Sequence, residues 1–235
     1  MATRLPDFAV PVPPARPTSG QTLDPQNLFG GKAEQVWLEI GFGGGEHLVA
    51  LAKAHPHIGF IGCEPFINGV AKLLAEIDRQ ALLNIRIFND DARLLLDVLK
   101  PASLGRVFLL FPDPWPKKRH HKRRFVSPEN LDLLASALAD AGEFHFATDS
   151  ADYCRWTLDH LRRTPAPEKP LFEWMAQTPR DWRRPERGEE SAEIKDNFGP
   201  ETRYEAKARA QGRRSVHLSF RRAARSAPAG ATGQA

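Results

Sequence analysis

Cysteine is scarce in this chain: Cys63 and Cys154 are the only two among 235 residues. They show no CxxC spacing and no neighbouring histidine pair, which argues against a disulfide framework or a metal site and predicts free thiols in a reducing, cytoplasmic setting. Long apolar runs are missing too. No stretch approaches the roughly 18 residues of a membrane span, so no membrane contact is expected. The N-terminus has no apolar segment and is broken by prolines, so no signal peptide is expected either. Basic excess is absent from most of the chain. There are 33 Lys+Arg against 29 Asp+Glu, but six of the bases lie in 117–124, and without them the remainder is net −2. A focused patch steers an anionic partner, whereas a charge spread evenly serves solubility. A solvated surface run is the plainer alternative.

What is present around that patch is distinctive. Residues 111–124 read Phe-Pro-Asp-Pro-Trp-Pro-Lys-Lys-Arg-His-His-Lys-Arg-Arg, directly after the strand-like Val107-Phe108-Leu109-Leu110. Asp113 therefore sits just past a strand end. Prolines at 112, 114 and 116 keep the loop extended and out of a helix. An acid held beside a concentrated positive field suits chemistry on a polyanion, and nucleic acid is the obvious one. Trp115 is placed either to stack on a base or to anchor the loop. His120 and His121 read as part of the basic face, and no metal is expected.

Along the chain, apolar strands alternate with helical patterns. Strands are expected at 36–40, 58–63, 84–88, 106–110 and 143–147, with helices over 45–54, 67–81, 92–99, from Ser127-Pro128 through Leu138, and over 151–163. Ser127 and Ser150 are candidate N-caps, and Pro128 suits the first helical turn. Strict alternation implies a parallel sheet covered on both faces. Residues 215–220 alternate as a late edge or antiparallel strand. Residues 165–200 lack clean periodicity, although Trp182 with Arg180, Arg183 and Arg184 hints at a lid or RNA-facing element. Residues 1–27, with six prolines, and 223–235 are expected to be flexible tails around one domain of 28–222.

The first strand runs into Gly41-Phe42-Gly43-Gly44-Gly45-Glu46. Glycines between a strand and a helix allow close approach to a ligand. A dinucleotide fingerprint would need a third glycine at 46, and a carboxylate there, where a pyrophosphate would sit, argues against NAD. Glu39 lies in an otherwise apolar strand, where it needs a cation or several donors. Glu64 ends the second strand, where ribose hydroxyls are commonly bound, and Asp91-Ala92 ends the third. Each acid alone reads equally well as a helix cap. Three at consecutive strand ends, beside a glycine loop, fit a ligand with an amino acid end, a ribose and an adenine but no phosphates. S-adenosylmethionine has that chemistry.

These residues resemble a known family. Leu38-Glu39-Ile40-Gly41-Phe42-Gly43-Gly44-Gly45, Gly62-Cys63-Glu64, Asn89-Asp90-Asp91-Ala92, Phe111-Pro112-Asp113-Pro114-Trp115 and Thr202-Arg203-Tyr204-Glu205 are together similar to the bacterial tRNA (guanine-N7)-methyltransferases, over about 28–220. The resemblance implies a Rossmann-like class I methyltransferase, an α/β fold whose mostly parallel seven-stranded sheet has an antiparallel last strand. It implies methyl transfer from S-adenosylmethionine to N7 of guanosine 46 in the tRNA variable loop, by a monomer or homodimer. On this resemblance Glu39, Gly41, Gly43, Glu64, Asp91, Ala92 and Asp113 line the donor site. Lys117, Asp149, Thr202, Arg203, Tyr204 and Glu205 hold the substrate, and Lys118, Arg119, His120, His121, Lys122, Arg123 and Arg124 contact RNA. The segment before Phe29-Gly30 departs from many members in lacking an Arg-rich lead-in.

Guanine N7 has a free lone pair and needs no deprotonation before attack. Asp113 is accordingly expected to orient the guanine and favour its developing charge, not to act as a base. Two rival readings remain at this level. A methyltransferase for a different RNA or a small molecule would share the donor site, and a non-catalytic RNA-binding protein would need only the basic loop.

Overall fold

The structure, a computed structural model, describes residues 5–11, 22–162, 170–178, 181 and 198–225. Seven strands form one sheet: β1 (Gln35–Ile40), β2 (Ile58–Cys63), β3 (Ile85–Phe88), β4 (Leu104–Leu110), β5 (Leu138–Thr148), β6 (Phe172–Trp174) and β7 (Val216–Arg222). Their spatial order is β3-β2-β1-β4-β5-β7-β6. The first five are parallel, while β7 runs antiparallel to both β5 and β6. The fold class read from the sequence is therefore the one observed.

Helices α1 (Leu5–Phe8), α2 (Glu46–Ala54), α3 (Ile67–Gln80), α4 (Ala92–Val98), α5 (Pro128–Ala137), α6 (Ala151–Arg162) and α7 (Arg203–Ala210) accompany the sheet. Strands covered on both faces lose the polar alternation of a half-exposed strand, and every residue of β2 is buried. Two apolar layers result. On one side Leu38, Val107 and Phe144 meet Leu95, Leu131, Leu134 and Tyr153. On the other, Trp37, Phe60 and Phe108 meet Leu48, Leu51, Leu73 and Ile77. Burying a phenylalanine such as Phe60 or Phe108 contributes about 1.5–3 kcal/mol. In α3 the buried Val70, Leu73, Leu74 and Ile77 form the expected inward stripe. Ser127 accepts from Asn130 N at 3.3 Å and Ser150 from Tyr153 N at 3.2 Å, so both caps form.

Several local expectations are revised. Leu138 does not end α5. It takes an extended ψ of 137° and pairs with Leu104 as the first residue of β5, before a bulge that brings Arg106 opposite Glu143. Its buried position satisfies helical spacing and a strand alike, so periodicity alone misplaces it. The short β6 and the whole of α7 lie where apolar periodicity is weak and are additions to the expected elements. The Pro-rich start is not uniformly free chain: Phe8 and Val10 are buried, and Val10 N donates to Ile87 O at 2.9 Å at the open edge of β3. Residues 25–29 form a 3-10 turn capped by Asp24. At the other end, Arg225 donates to the carbonyls of Ala135, Ser136 and Leu138 at 2.7–2.9 Å. Arg180, Trp182, Arg183 and Arg184 lie outside the described residues.

Candidate active site

In an open α/β sheet, ligands bind beyond the carboxyl ends of the strands where the strand order reverses. Here that point lies between β1 and β4. The parallel register sets Ile40 beside Leu109, so the glycine loop after β1 and the Pro-Asp-Pro-Trp loop after β4 leave the sheet side by side. Two bulky residues in the second loop, Phe111 (φ 52°) and Trp115 (φ 42°), adopt the left-handed region. That conformation is strained for such side chains, on the order of 1–3 kcal/mol each, and is found mainly where surrounding structure enforces it at functional sites. Asp113 lies between them and is exposed.

Two of the three donor-side acids, Glu64 and Asp91, accept from backbone. Glu64 is buried and accepts from Gly43 N at 2.9 Å and Phe66 N at 3.0 Å, which ties the glycine loop to the end of β2. A carboxylate has about four acceptor sites, so two backbone donors leave capacity for ribose hydroxyls. Asp91 caps α4 through Arg93 N at 3.0 Å, and its ion pair with Arg93 holds its carboxyl below the usual range. Both readings of that residue, cap and ligand acceptor, are thus compatible, with Ala92 buried as the first residue of α4. Glu39 is buried and its Oε2 lies 2.9 Å from His47 Nδ1, which supplies the cationic or donor partner its position demands.

Close approach explains two glycines here. A Cβ on Gly43 (φ 58°) would meet the Tyr204 ring at 3.3 Å, and one on Gly69 would fall 2.2 Å from Gly43 O. The first contact places the Thr-Arg-Tyr-Glu segment against the glycine loop, more than 150 residues away in sequence. Thr202 caps α7 by accepting from Glu205 N at 3.1 Å. The Arg203 guanidinium carbon lies over the Tyr204 ring, 5.2 Å from its centroid.

A family described as "Putative methyltransferase" matches residues 33–218. A tRNA (guanine-N(7)-)-methyltransferase of Rhodospirillum rubrum is 48% identical over 99% of this chain and 85% of its own. The enzyme of the same name from Rhizobium meliloti is 50% identical over 83% of this chain and 78% of its own. The chain belongs to the tRNA (guanine-N7)-methyltransferase family. Among solved structures, the 16S rRNA methyltransferase KamB superposes with a TM-score of 0.57 at 15% identity, covering 87% of this chain and 95% of that one. The antibiotic-resistance methyltransferase Kmr gives 0.55 at 16% identity, covering 85% and 92%. These two share the fold. The donor side of the cleft fits S-adenosylmethionine, because carboxylates stand where a phosphate-bearing cofactor would need donors.

The methyltransferase's basic loop divides into two parts. Residues Lys118–Arg123 form a 3-10 turn in which Lys118, Arg119, Lys122 and Arg123 are exposed, as is Lys117 before it. His120 packs edge-on to Trp115 at 5.9 Å, and Arg123 covers the Trp115 ring at 4.7 Å. Arg124 corrects the RNA-contact expectation. It is buried, donates to Pro114 O at 2.9 Å, pairs with Asp152, and lies over Tyr153 and Trp156 at 4.9 and 5.0 Å. Its hydrogen bond, with its charge, depresses the Asp152 carboxyl, and burial pushes the Tyr153 hydroxyl up to about 12. His121, edge-on to Trp156 at 5.2 Å and 20% exposed in its side chain, also turns inward.

Two further residues differ from the simplest reading. Asp149 forms an ion pair with Arg213, a partner not anticipated. Glu205 does not lie at the surface. It is buried, with Oε1 3.4 Å from His217 Nε2. The Thr-x-x-Glu pattern of 202–205 is a capping-box signature and was a legible sign of α7. No local pattern pointed to His47, His217 or Arg213. Cys63 and Cys154 are free thiols, as expected.

Proposed function

We propose that this chain transfers the methyl group of S-adenosylmethionine to N7 of guanosine 46 in the tRNA variable loop, in the cytoplasm. The observation that carries the reading is the pairing of β1 with β4. It supports reading the acid-bearing glycine loop and the strained Asp113 loop as neighbours in one site, with the exposed Lys117, Lys118, Arg119, Lys122 and Arg123 following in the same loop. The names of the relatives supply the acceptor class.

Glu39, Gly41 and Gly43 would hold the amino acid end of the donor, Glu64 its ribose, and Asp91 with Ala92 its adenine. When bound, the donor supplies an electrophilic methyl on a sulfonium. Because the N7 lone pair is already free, the chain has no proton to remove at that atom. Its tasks are to align acceptor and methyl in line and to place negative charge where positive charge grows on the purine. Asp113 serves both by accepting from guanine N1–H and the 2-amino group. Lys117, Asp149 and Thr202 through Glu205 frame the acceptor. Lys118, Arg119, His120, Lys122 and Arg123 would grip phosphates, a contact that weakens as salt rises.

The test is methyl transfer from labelled S-adenosylmethionine to unmodified tRNA, with the product nucleoside identified by mass spectrometry. A tRNA with adenosine at position 46 is the control. Formation of 7-methylguanosine in the first RNA alone supports donor, acceptor and position. Equal labelling of both RNAs would move the target elsewhere, and no labelling would refute the assigned substrate.

A further inference from the structure

His47 stands in the first turn of α2, buried against the sheet. Its two ring nitrogens bridge β1 and the chain ahead of α7. Nδ1 lies 2.9 Å from Glu39 Oε2 on β1, and Nε2 lies 2.7 Å from Phe198 O. Phe198 is four residues before Thr202, in the chain that leads into the Thr-Arg-Tyr-Glu segment. Its ring is edge-on to two more imidazoles, His145 at 4.9 Å and His217 at 4.8 Å. Gly199 follows in a left-handed conformation (φ 62°), and a Cβ there would lie 2.9 Å from His47 Nε2 and 2.7 Å from Leu51 Cδ2. The backbone after Phe198 thus runs directly over His47.

The partners of His47 decide its chemistry. A carbonyl oxygen can only accept, so Nε2 must carry a proton. Where the Glu39 carboxylate only accepts, Nδ1 carries another. His145 shows the contrast within the same layer. Its Nδ1 faces Ser219 Oγ at 3.1 Å and its Nε2 faces Glu143 Oε2 at 3.0 Å. A serine hydroxyl can donate, so the neutral ring of His145 satisfies both contacts.

We infer that His47 is a positioning residue, an imidazolium that ties the donor-site carboxylate Glu39 to the backbone leading into the acceptor segment. It thereby couples donor binding to the seating of Thr202–Glu205. The inference rests on the reading of Glu39 as a donor-site residue. A bound donor that fixes the Glu39 carboxylate in place also fixes the ring hydrogen-bonded to it. That ring in turn holds Phe198 O and keeps Tyr204 over Gly43. Two sites sharing one such link bind their ligands with positive and reciprocal coupling.

The experiment measures dissociation constants of S-adenosylhomocysteine by calorimetry, with and without saturating unmodified tRNA, for the wild-type chain, His47→Ala, His47→Gln and Glu39→Ala. The wild-type chain should bind S-adenosylhomocysteine about 5-fold or more tightly when tRNA is present, within the usual range for coupled sites. His47→Gln has one amide nitrogen and an oxygen that repels one of the two acceptors, so it can keep one tether but not both. It should retain donor affinity within about 3-fold while its coupling falls toward unity. If His47→Ala does not fold, His47→Gln carries the test. Nitrogen-15 spectra of the ring at neutral pH should show both nitrogens protonated. Undiminished coupling in His47→Gln, or a ring with one bare nitrogen, overturns the inference. Unchanged donor affinity in Glu39→Ala would instead refute the donor-site reading on which it rests.

Discussion

The two sides of the cleft hold their functional groups by different means. On the donor side, Glu39, Glu64 and Asp91 stand at or near the ends of β1, β2 and β3, and nearby backbone fixes two of them: Gly43 N and Phe66 N for Glu64, Arg93 N for Asp91. On the acceptor side, Asp113 sits in a strained loop whose shape depends on a guanidinium ten residues further on, donating to Pro114 O. The Thr202–Glu205 segment is held there by contacts with Gly43 and His217 that span much of the chain. A site built from strand ends inherits the rigidity of the sheet. One built from loops needs buried side chains to hold it, and Arg124 and His47 are such side chains.

The sharpest way to break the comparison is at its centre. Asp113→Asn keeps the shape of the side chain and removes its charge, so it separates charge from orientation. The expected result is a fall in kcat of about 100-fold, in the range of losing one group that stabilises developing charge. Donor affinity, measured with S-adenosylhomocysteine, should change little if Glu39, Glu64 and Asp91 carry donor binding; a matching loss of affinity would show that Asp113 also lines the donor site. Normal turnover would remove the electrostatic role.

Arg124 comes next. Arg124→Ala leaves Pro114 O without its guanidinium donor and uncovers Tyr153 and Trp156. Because the Asp152 side chain is 54% exposed, the loss should fall below that of a fully buried pair, at about 2 kcal/mol of stability by chemical denaturation. Turnover should fall with it as the Asp113 loop relaxes. Stability equal to wild type would mean that the prolines and strand ends suffice to set the loop.

His145 gives a smaller effect, set by pH. Burial holds its pKa below the usual value despite the opposing pull of Glu143. The unfolded chain therefore binds a proton at a higher pH than the folded one. Stability is unaffected well above about pH 6.5 and is lost as pH falls below it, by at most about 1.4 kcal/mol per unit from this group. Denaturation midpoints between pH 8 and 5 check this. His145→Gln should flatten the slope in that range.

The contrast between the two sides also explains what could be read from the sequence. Glu39, Glu64 and Asp91 were legible because each acid lies at or just past the end of an apolar strand, Glu39 with a glycine turn directly after it, so local chemistry and fold point the same way. The Asp113 loop was legible for the same reason. Arg124 was misread because composition places it among five exposed bases. Only the fold reveals that the carbonyl of Pro114 and the rings of Tyr153 and Trp156 close around it. The link from His47 to Phe198 spans 151 residues and leaves no periodic trace. Helix α7 carried a local signature in Thr202 and Glu205, but it lies where apolar periodicity, the main cue used elsewhere, is weak. Leu138 failed in the opposite way, with a periodicity that fitted two structures.

The neighbouring pair Arg123 and Arg124 provides the finest test, since the two have the same side chain and differ only in where the fold sends it. Arg123 is exposed and stacks on Trp115. Arg123→Ala should cost no more than about 0.5 kcal/mol of stability, the usual limit for a surface change. If the Arg123 guanidinium meets a phosphate, its loss should weaken tRNA binding and reduce the slope of log affinity against log salt by about 1. Arg124→Ala should do the reverse, lowering stability while leaving the salt slope of any folded fraction intact. A salt slope changed equally by both variants would mean that the buried arginine also reaches the RNA, and that the loop opens on binding. Separate responses would show that one short basic run holds two kinds of arginine, one for the partner and one for the loop that carries Asp113.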